Sequence, residues 1–468
     1  MSTSSRTRLL VVTCLALFIA MLDSLILGVA LPSIQKDLGS SISALEWFMN
    51  GYTLVFAVLI IPFSLLGDSI GRKKVFLAGV AVFTLGSLFS GLSTTSSWLI
   101  AFRVLQGIGG AAIVPLSLTL VNAAFPPEKR ALAIGLWSGI SGLGLSVGPL
   151  VGGLVMEGAP WQMIFYINVP IGLLAIVLGS RWIKESKGER KPVDPLGVML
   201  LAVGIFGLIY GLEKGNREGW GSLVVLASLI VGLLSVILFY YWEKRRMNPI
   251  IRFDLFRSSN YSSYILAGFW MNASVFGAIF LLTLFLQQAQ GYSPLEAGVR
   301  EMSWTVMTML AAPFAGWMIG KWGSKMVVLT GLLFQGIGLS WLALLVFSKG
   351  ALFPFTDAII PMMLAGTGMG LSFTPLSHGM LASVPENAAG EASAVGNTTR
   401  QLGSVFGIAI SGLFFQAGGS IQSPQQFADH LVPSLTADAI MMVIAIITIT
   451  IFAVNHRTKS APAQLMAD

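Results

Sequence analysis

The chain has 468 residues, of which 55% are hydrophobic and only 10% charged, with a mean hydropathy of +0.80. Soluble domains carry about 25% charged residues, so this composition excludes a soluble protein and marks a polytopic membrane one. The net charge of +7 does not point to nucleic acid, because positive charge in such a chain collects in loops on one side of the membrane and sets topology. A single cysteine, Cys14, excludes a disulfide within the chain. The 52 glycines suit close helix–helix approach in lipid.

At about 20 apolar residues per span, fourteen spans are predicted in chain order. Six lie near 9–32, 47–67, 75–93, 97–122, 132–156 and 163–183. Two follow near 195–213 and 219–242, and six more near 260–288, 294–320, 326–347, 355–383, 395–417 and 437–454. The first run is too long for a signal-peptide core and contains Asp23, so it is expected to remain as the first helix.

Loop charge tests this count. With the N-terminus inside, the cytoplasmic loops hold Arg72, Lys73, Lys74, Lys129, Arg130, Lys184, Lys187, Arg190, Lys191, Lys244, Arg245, Arg246, Arg252, Arg257, Lys321 and Lys325. The termini add Arg6, Arg8, Arg457 and Lys459, while the outer loops hold only Lys36, Lys214, Arg217 and Lys349. The positive-inside rule demands this asymmetry, with both termini cytoplasmic. An odd number of spans would destroy it in one half.

The two ends of the chain look related. Gly107-Ile108-Gly109-Gly110 in span 4 is matched by Gly366-Thr367-Gly368-Met369-Gly370 in span 12. The short turn Gly67-Asp68-Ser69-Ile70-Gly71-Arg72-Lys73 is matched by Ile319-Gly320-Lys321-Trp322-Gly323-Ser324-Lys325. Paired repeats of this kind are the ground plan of many secondary transporters. The expected units are a six-helix bundle at 1–185, a two-helix insert with its linkers at 186–250, and a second six-helix bundle at 251–468.

Four stretches carry the chemistry. In the first, Leu22-Asp23-Ser24-Leu25-Ile26-Leu27-Gly28-Val29-Ala30-Leu31-Pro32, Asp23 sits mid-span, where a carboxylate costs about 2.5–3.5 kcal/mol even on a lenient insertion scale. In the second, Ser64-Leu65-Leu66-Gly67-Asp68-Ser69-Ile70-Gly71-Arg72-Lys73, Gly71 permits a tight turn and Arg72 can pair with Asp68. The third, Leu99 to Gly110, places Arg103 within span 4. Arginine keeps its proton in proteins, so Arg103 needs a counter-charge, and Asp23 is the nearest intramembrane acid in the same bundle. In the fourth, Gly144-Leu145-Ser146-Val147-Gly148-Pro149-Leu150-Val151-Gly152-Gly153, Pro149 kinks span 5 and the glycines let it pack closely on a neighbour.

These stretches resemble the major facilitator superfamily, in its fourteen-helix drug:proton antiporter branch, over nearly the whole chain. The second has Ser64 and Ser69 where the family has Gly and Arg, and the first has Leu25 and Gly28 where it has Thr and Asn. The resemblance implies a major facilitator fold, two six-helix bundles plus a two-helix insert. It implies that Asp23 and Arg103 serve proton coupling, and that the Gly144–Gly153 stretch marks an antiporter. It implies that Asp68, Gly71, Arg72 and Lys73 form a conformational latch, with Asp68 capping a helix N-terminus in the other half, span 13 being the expected partner. Glu301, beside Arg300 in span 10, is either a second proton or cation site or a local pair with Arg300.

The expected function is export of drugs or other amphipathic or cationic small molecules across the cytoplasmic membrane, by alternating access and in exchange for protons. The rivals are export of one specific metabolite by the same machinery, or a sensor or channel without proton coupling. No His/Glu cluster, nucleophile elbow or phosphate loop speaks for an enzyme. No cofactor is expected beyond the proton gradient, and the partners are substrate, protons and lipid, with no nucleic acid, around a monomer. Trp47, Asn50, Tyr52, Phe269, Trp270, Asn272, Gln287, Trp304 and Met307 are the candidates for a central cavity, because aromatic faces attract cations and Met adapts to varied shapes.

Overall fold

The structure, a computed structural model, describes residues 3–188, 194–247, 249, 251, 253–385 and 388–454. Arg190, Lys191, Arg252, Arg457 and Lys459 of the charge argument lie outside the described residues. The first bundle contains α1 (Thr3–Leu38), α2 (Ile42–Ile70), α3 (Arg72–Gly91), α4 (Ser96–Ala124), α5 (Pro127–Gly158) and α6 (Met163–Trp182). The insert is α7 (Pro195–Glu218) and α8 (Leu223–Lys244). The second bundle opens with α9 (Ser259–Ala289). The run Pro294–Lys349 is broken by Gly323 into α10 (294–322) and α11 (324–349). It ends with α12 (Phe355–Leu381), α13 (Ala389–Gln416) and α14 (Pro424–Phe452).

Local chemistry sets the helix ends. Ser41, Thr95, Ser258 and Ser423 each accept a backbone N–H as N-caps, and Ser293 with Glu296 closes a capping box at the start of α10. Gly71 (φ 135) and Gly323 (φ 76) occupy matching places in the two short turns, where a side chain would be strained. The turn repeat read from sequence is thus a backbone repeat.

The glycines repeat as well. In the first bundle Gly107 lies on the Tyr52 carbonyl of α2, and Gly109 on Gly79 and Phe83 of α3. In the second, Gly366 lies on the Trp304 carbonyl of α10, and Gly368 on Gly331 and Gln335 of α11. One glycine-rich helix therefore seats two neighbours in each bundle, as close packing in lipid requires. The bundles meet along two seams, α5 against α10 and α2 against α13, which exchange places when the repeats are exchanged.

Within the insert, Gly204 and Gly207 of α7 pack on Gly232 and Ser228 of α8, while Leu223, Ile230, Leu233 and Leu238 of α8 are exposed, as a lipid-facing surface should be. Asp194 ties the insert's linkers together. It caps α7 through the Gly197 N–H at 3.1 Å, takes the Trp242 indole N–H at 2.6 Å, and pairs with Arg246 at 3.4 Å. Burial pushes its carboxyl up, but these partners outweigh burial and hold it below the ordinary carboxylate range.

Candidate functional site

The structure brings Asp23 and Arg103 together. Both are 1% exposed, and an Arg103 Nη1 donates to Asp23 Oδ2. The pair is the centre of a network. Gln106 Nε2 and Asn168 Nδ2 both donate to Asp23 Oδ1, each at 3.1 Å. The same two amides donate to Ser87 Oγ, each at 2.9 Å. Arg103 Nη1 also reaches Gln106 Oε1, and its Nε donates to the Phe48 carbonyl of α2, both at 2.9 Å. Its guanidinium stands 4.7 Å from the Tyr52 ring centroid. The spacing of Arg103 and Gln106, three apart on α4, puts both on one helix face. Four helices, α1, α3, α4 and α6, thus supply the groups around one carboxylate, and α2 supplies a carbonyl. Ser87 and the Phe48 carbonyl were not foreseen from sequence; a lone serine in an apolar run carries no signal.

The turn after α2 holds the Asp68–Arg72 pair read from the sequence but not the cap on α13. Among the described residues Asp68 makes no bond to the start of α13. It takes Arg72 Nε at 2.6 Å within its own turn. The carboxylate at a helix N-terminus here is Glu185, whose Oε1 accepts the Lys73 N–H of α3 at 3.0 Å and whose head packs on Gly71. Lys73 Nζ in turn donates to the Ser180 carbonyl at 2.7 Å. The physical reason is distance: a cavity of about 1360 Å³ separates the end of α2 from the start of α13, with Asp68 on one wall and Ser393, Ala394 and Asn397 on the other.

That cavity lies between the bundles at the end rich in Lys and Arg. Trp137, Tyr240, Phe253, Phe256 and Met247 give it apolar surface, Asn122 and Thr119 polar surface, and Glu243, Asp254, Lys244, Arg246 and Arg257 charge of both signs. Met247 is 97% exposed, so the cavity reaches the surface. The linker after α8 forms much of its wall.

None of the nine candidate cavity residues lines it. Trp47 packs on Phe206 of the insert, ring centroids 5.4 Å apart. Asn50 and Asn272 are buried, Asn272 on the Gly268 carbonyl at 2.9 Å. Tyr52 belongs to the Arg103 network. Phe269 and Trp270 meet edge to face, and Phe269 also meets Phe406 of α13. Gln287 donates to the Val29 carbonyl of α1 at 2.8 Å, bridging the bundles. Trp304 is buried with its indole N–H 3.5 Å from Met369 sulfur, and Met307 on the same helix is half-buried. Trp47, Phe269, Gln287 and Trp304 thus sit in helix–helix contacts, where interiors pack to crystal-like density.

The Gly144–Gly153 stretch faces two ways. Gly144, Gly148 and Gly152 lie against α1 at Met21, Leu25 and Ile26, while Gly153 lies against Leu295 of α10. Gly298 of α10 answers by lying on the Pro149 carbonyl. The helix bends by 43° between Ala133–Leu145 and Val147–Gly158, next to the carbonyl four residues before Pro149, where a proline ring clashes. Glu301 is 6% exposed and accepts the Thr283 hydroxyl. It does not pair with Arg300, which stacks 3.6 Å from the Tyr292 ring centroid and donates to the Glu296 carbonyl at 3.0 Å. Glu301 and Pro149 share the lining of one small void with Leu25 and Trp304. The residues missed outright from sequence include further buried carboxylates: Glu46 beside Glu213, Glu243 at the end of α8, and Asp438 on Ser411 at 2.6 Å.

Two bundles of six helices, a cavity between them open at one end, and a sealed intramembrane ion pair define a membrane transporter. The chain belongs to the Major Facilitator Superfamily, whose family profile matches residues 13–408. It is 35% identical over 412 residues to the multidrug resistance protein Stp of Mycobacterium tuberculosis, covering 87% of this chain and 76% of that protein. It is 33% identical to the tetracenomycin C resistance and export protein of Streptomyces glaucescens (88% and 76% covered). The cephamycin export protein CmcT of Amycolatopsis lactamdurans also shares 33% identity (95% and 92% covered). Among solved structures, a bacterial homologue of the lysosomal transporter Spinster, inward-facing and unoccupied, superposes with a TM-score of 0.66 at 17% identity, covering 97% of this chain and 98% of that one.

Proposed function

We propose that the protein exports drugs or other amphipathic small molecules across the cytoplasmic membrane in exchange for protons, with its termini on the cytoplasmic side. The observation that carries this reading is the pairing of a large mixed-polarity cavity, open at the Lys/Arg-rich end, with a buried Asp23–Arg103 pair that lines no part of it. About 1360 Å³ exceeds the usual 300–1,000 Å³ of a small-molecule site, so shape and charge vary enough along its wall to accept unlike ligands.

The open end is the cytoplasmic one, and the state is inward-facing. A proton arriving on Asp23 removes the charge that holds Arg103 Nη1. Arg103 Nε is bonded to the Phe48 carbonyl of α2, so the loss is felt by the helix that carries both a seam and the Asp68 turn. Closing the cavity brings Asp68 toward the start of α13, where a carboxylate is favoured. The names of two relatives, each an exporter of one compound, support a second reading in which the substrate is a single natural product.

The test is ethidium efflux from proteoliposomes with an imposed pH gradient, comparing the native chain with Asp23→Asn. Efflux that requires the gradient and is lost in the variant is expected. Gradient-independent efflux in both chains would refute proton exchange at Asp23, and no efflux from folded native protein would favour the single-product reading.

A further inference from the structure

The end opposite the cavity holds a carboxylate that the Asp23 network does not use. Glu46, in the second turn of α2, is 1% exposed. Its Oε1 accepts Gln416 Nε2 of α13 at 2.8 Å, a bond that crosses the seam between the bundles. Its Oε2 has no hydrogen-bond partner among the described residues. The fit is close: a Cβ at Gly412 of α13 would fall 2.0 Å from Oε1. Glu213 of the insert, 4% exposed, takes the hydroxyl of Ser43, one turn before Glu46, and is an electrostatic neighbour of Glu46. One buried carboxylate thus stands where the first bundle, the second bundle and the insert meet.

The charged groups around it do not compensate it. On α7, Lys214 is engaged with Glu218 at 3.1 Å and stands over Tyr210, and the Arg217 side chain lies outside the described ones. On α4, Arg103 belongs to Asp23. On α1, Asp37 takes the Trp161 N–H at 2.7 Å, and Lys36 is exposed. On α13 no ionisable residue follows Arg400, which binds Ser377 at the other end. Residues 259–289 of α9 hold no Asp, Glu, Lys or Arg. On α14, Asp429 takes the Gln425 amide, His430 packs on Phe415, and the buried Asp438 takes the Ser411 hydroxyl of α13, so it adds no cation.

A carboxylate buried with one oxygen unpartnered, no cation within bonding distance among the described residues, and a second carboxylate beside it is costly while ionised. When α2 and α13 part, Glu46 loses Gln416 and meets water. When they close, it is desolvated. We propose that Glu46 is a proton-binding site of the outer gate: it ionises when α2 and α13 separate, and closure takes one proton from outside onto its free oxygen. The insert touches the gate through Glu213, which takes the Ser43 hydroxyl one turn before Glu46. The inference rests on the exporter reading only for which side is outer. Because the proton enters and leaves on the same side, Glu46 sets the gate equilibrium and is not the transported proton's carrier.

The test needs neither substrate nor transport, so its outcome is separate from that of the efflux assay. Spin labels at Thr94→Cys and Ser420→Cys, both exposed at the outer end, with Cys14→Ser, report the gap between the bundles by electron–electron resonance in nanodiscs. The closed-to-open ratio is expected to rise up to about tenfold per pH unit on acidification, the limit for one proton. Glu46→Gln, which keeps the bond to Gln416 without charge, should stay closed at every pH. Glu213→Gln, which leaves Glu46 and Gln416 in place, should leave the transition intact. A pH response that survives unchanged in monodisperse Glu46→Gln, or its absence in the native chain, would overturn the proposal.

Discussion

Replacing Arg103 by Met tests the centre of the first bundle. Arg103 and Asp23 are each 1% exposed, so the substitution leaves a buried carboxylate without its cation. Breaking a buried pair from one side costs about 3–5 kcal/mol. Asp23 keeps the Gln106 and Asn168 amides, and Met refills much of the volume, so about 3 kcal/mol is expected. Each kcal/mol moves the melting point by about 2–4 °C for 150–250 residues. For a chain about twice that size, a fall of about 3–6 °C is the prediction. The twelve tryptophans make intrinsic fluorescence in detergent a direct assay. Adding Asp23→Asn to Arg103→Met removes the stranded charge while keeping the amide bonds, and should recover at least half of the loss. A fall under about 1 °C, or no recovery in the double variant, would refute the view that charge compensation holds this site together.

Three further outcomes follow from the geometry. Gly298→Ala places a Cβ 2.3 Å from the Pro149 carbonyl, so the α5–α10 seam must spread; an overpacking cost of about 1–3 kcal/mol and a larger loss of efflux are expected, read by melting and by proteoliposome transport. Asp194→Asn should lower the melting point at neutral pH. Because the Asp194 carboxyl is held below its ordinary value, its contribution is present above the unfolded value of about 3.9 and is lost as pH falls through the folded one; melting curves of the two chains should stay apart from pH 8 to 5 and converge in stronger acid. Trp137→Ala, in the cavity wall, should weaken ethidium binding severalfold by fluorescence titration, whereas Trp47→Ala, which loses its ring contact with Phe206, should leave binding unchanged and cost about 0.5–1.5 kcal/mol of stability.

Among the described residues 11 helices, or 12 with the bent α5, are long and apolar enough to cross a membrane, and α13 is not one of them; the Gly71 turn and the Asp23–Arg103 pair were legible because each breaks an otherwise apolar pattern. The cavity wall was not legible. A membrane helix is apolar toward lipid and toward its neighbours alike, so no period says which aromatic faces a cavity, and Trp47 and Phe269 went to seams. The missed carboxylates have another cause. Hydropathy marks the hydrocarbon thickness, while the helices run on past it. The second predicted span, near 47–67, starts one residue after Glu46, yet α2 is Ile42–Ile70. Asp438 falls at the edge of the span predicted near 437–454, yet α14 is Pro424–Phe452 and buries it completely. A wall built by the linker after α8 is likewise invisible to any method that reads helices first.

The two seams are the same device made twice with different chemistry. Exchanging the repeats turns α5–α10 into α13–α2. The first seam is backbone against backbone, Gly153 on Leu295 and Gly298 on Pro149, and nothing in that contact ionises. The second is closed by Glu46 on Gln416 with Gly412 beneath, and the proposed proton makes it sensitive to the outer solution. The Phe48 carbonyl, two residues from Glu46 on α2, is held by Arg103. A change of charge at Asp23 therefore acts on the helix whose first turns close the second seam. Coupling between the proton proposed for Asp23 and the proposed gate at the edge of the first bundle requires no long pathway, only the rigidity of the opening turns of α2.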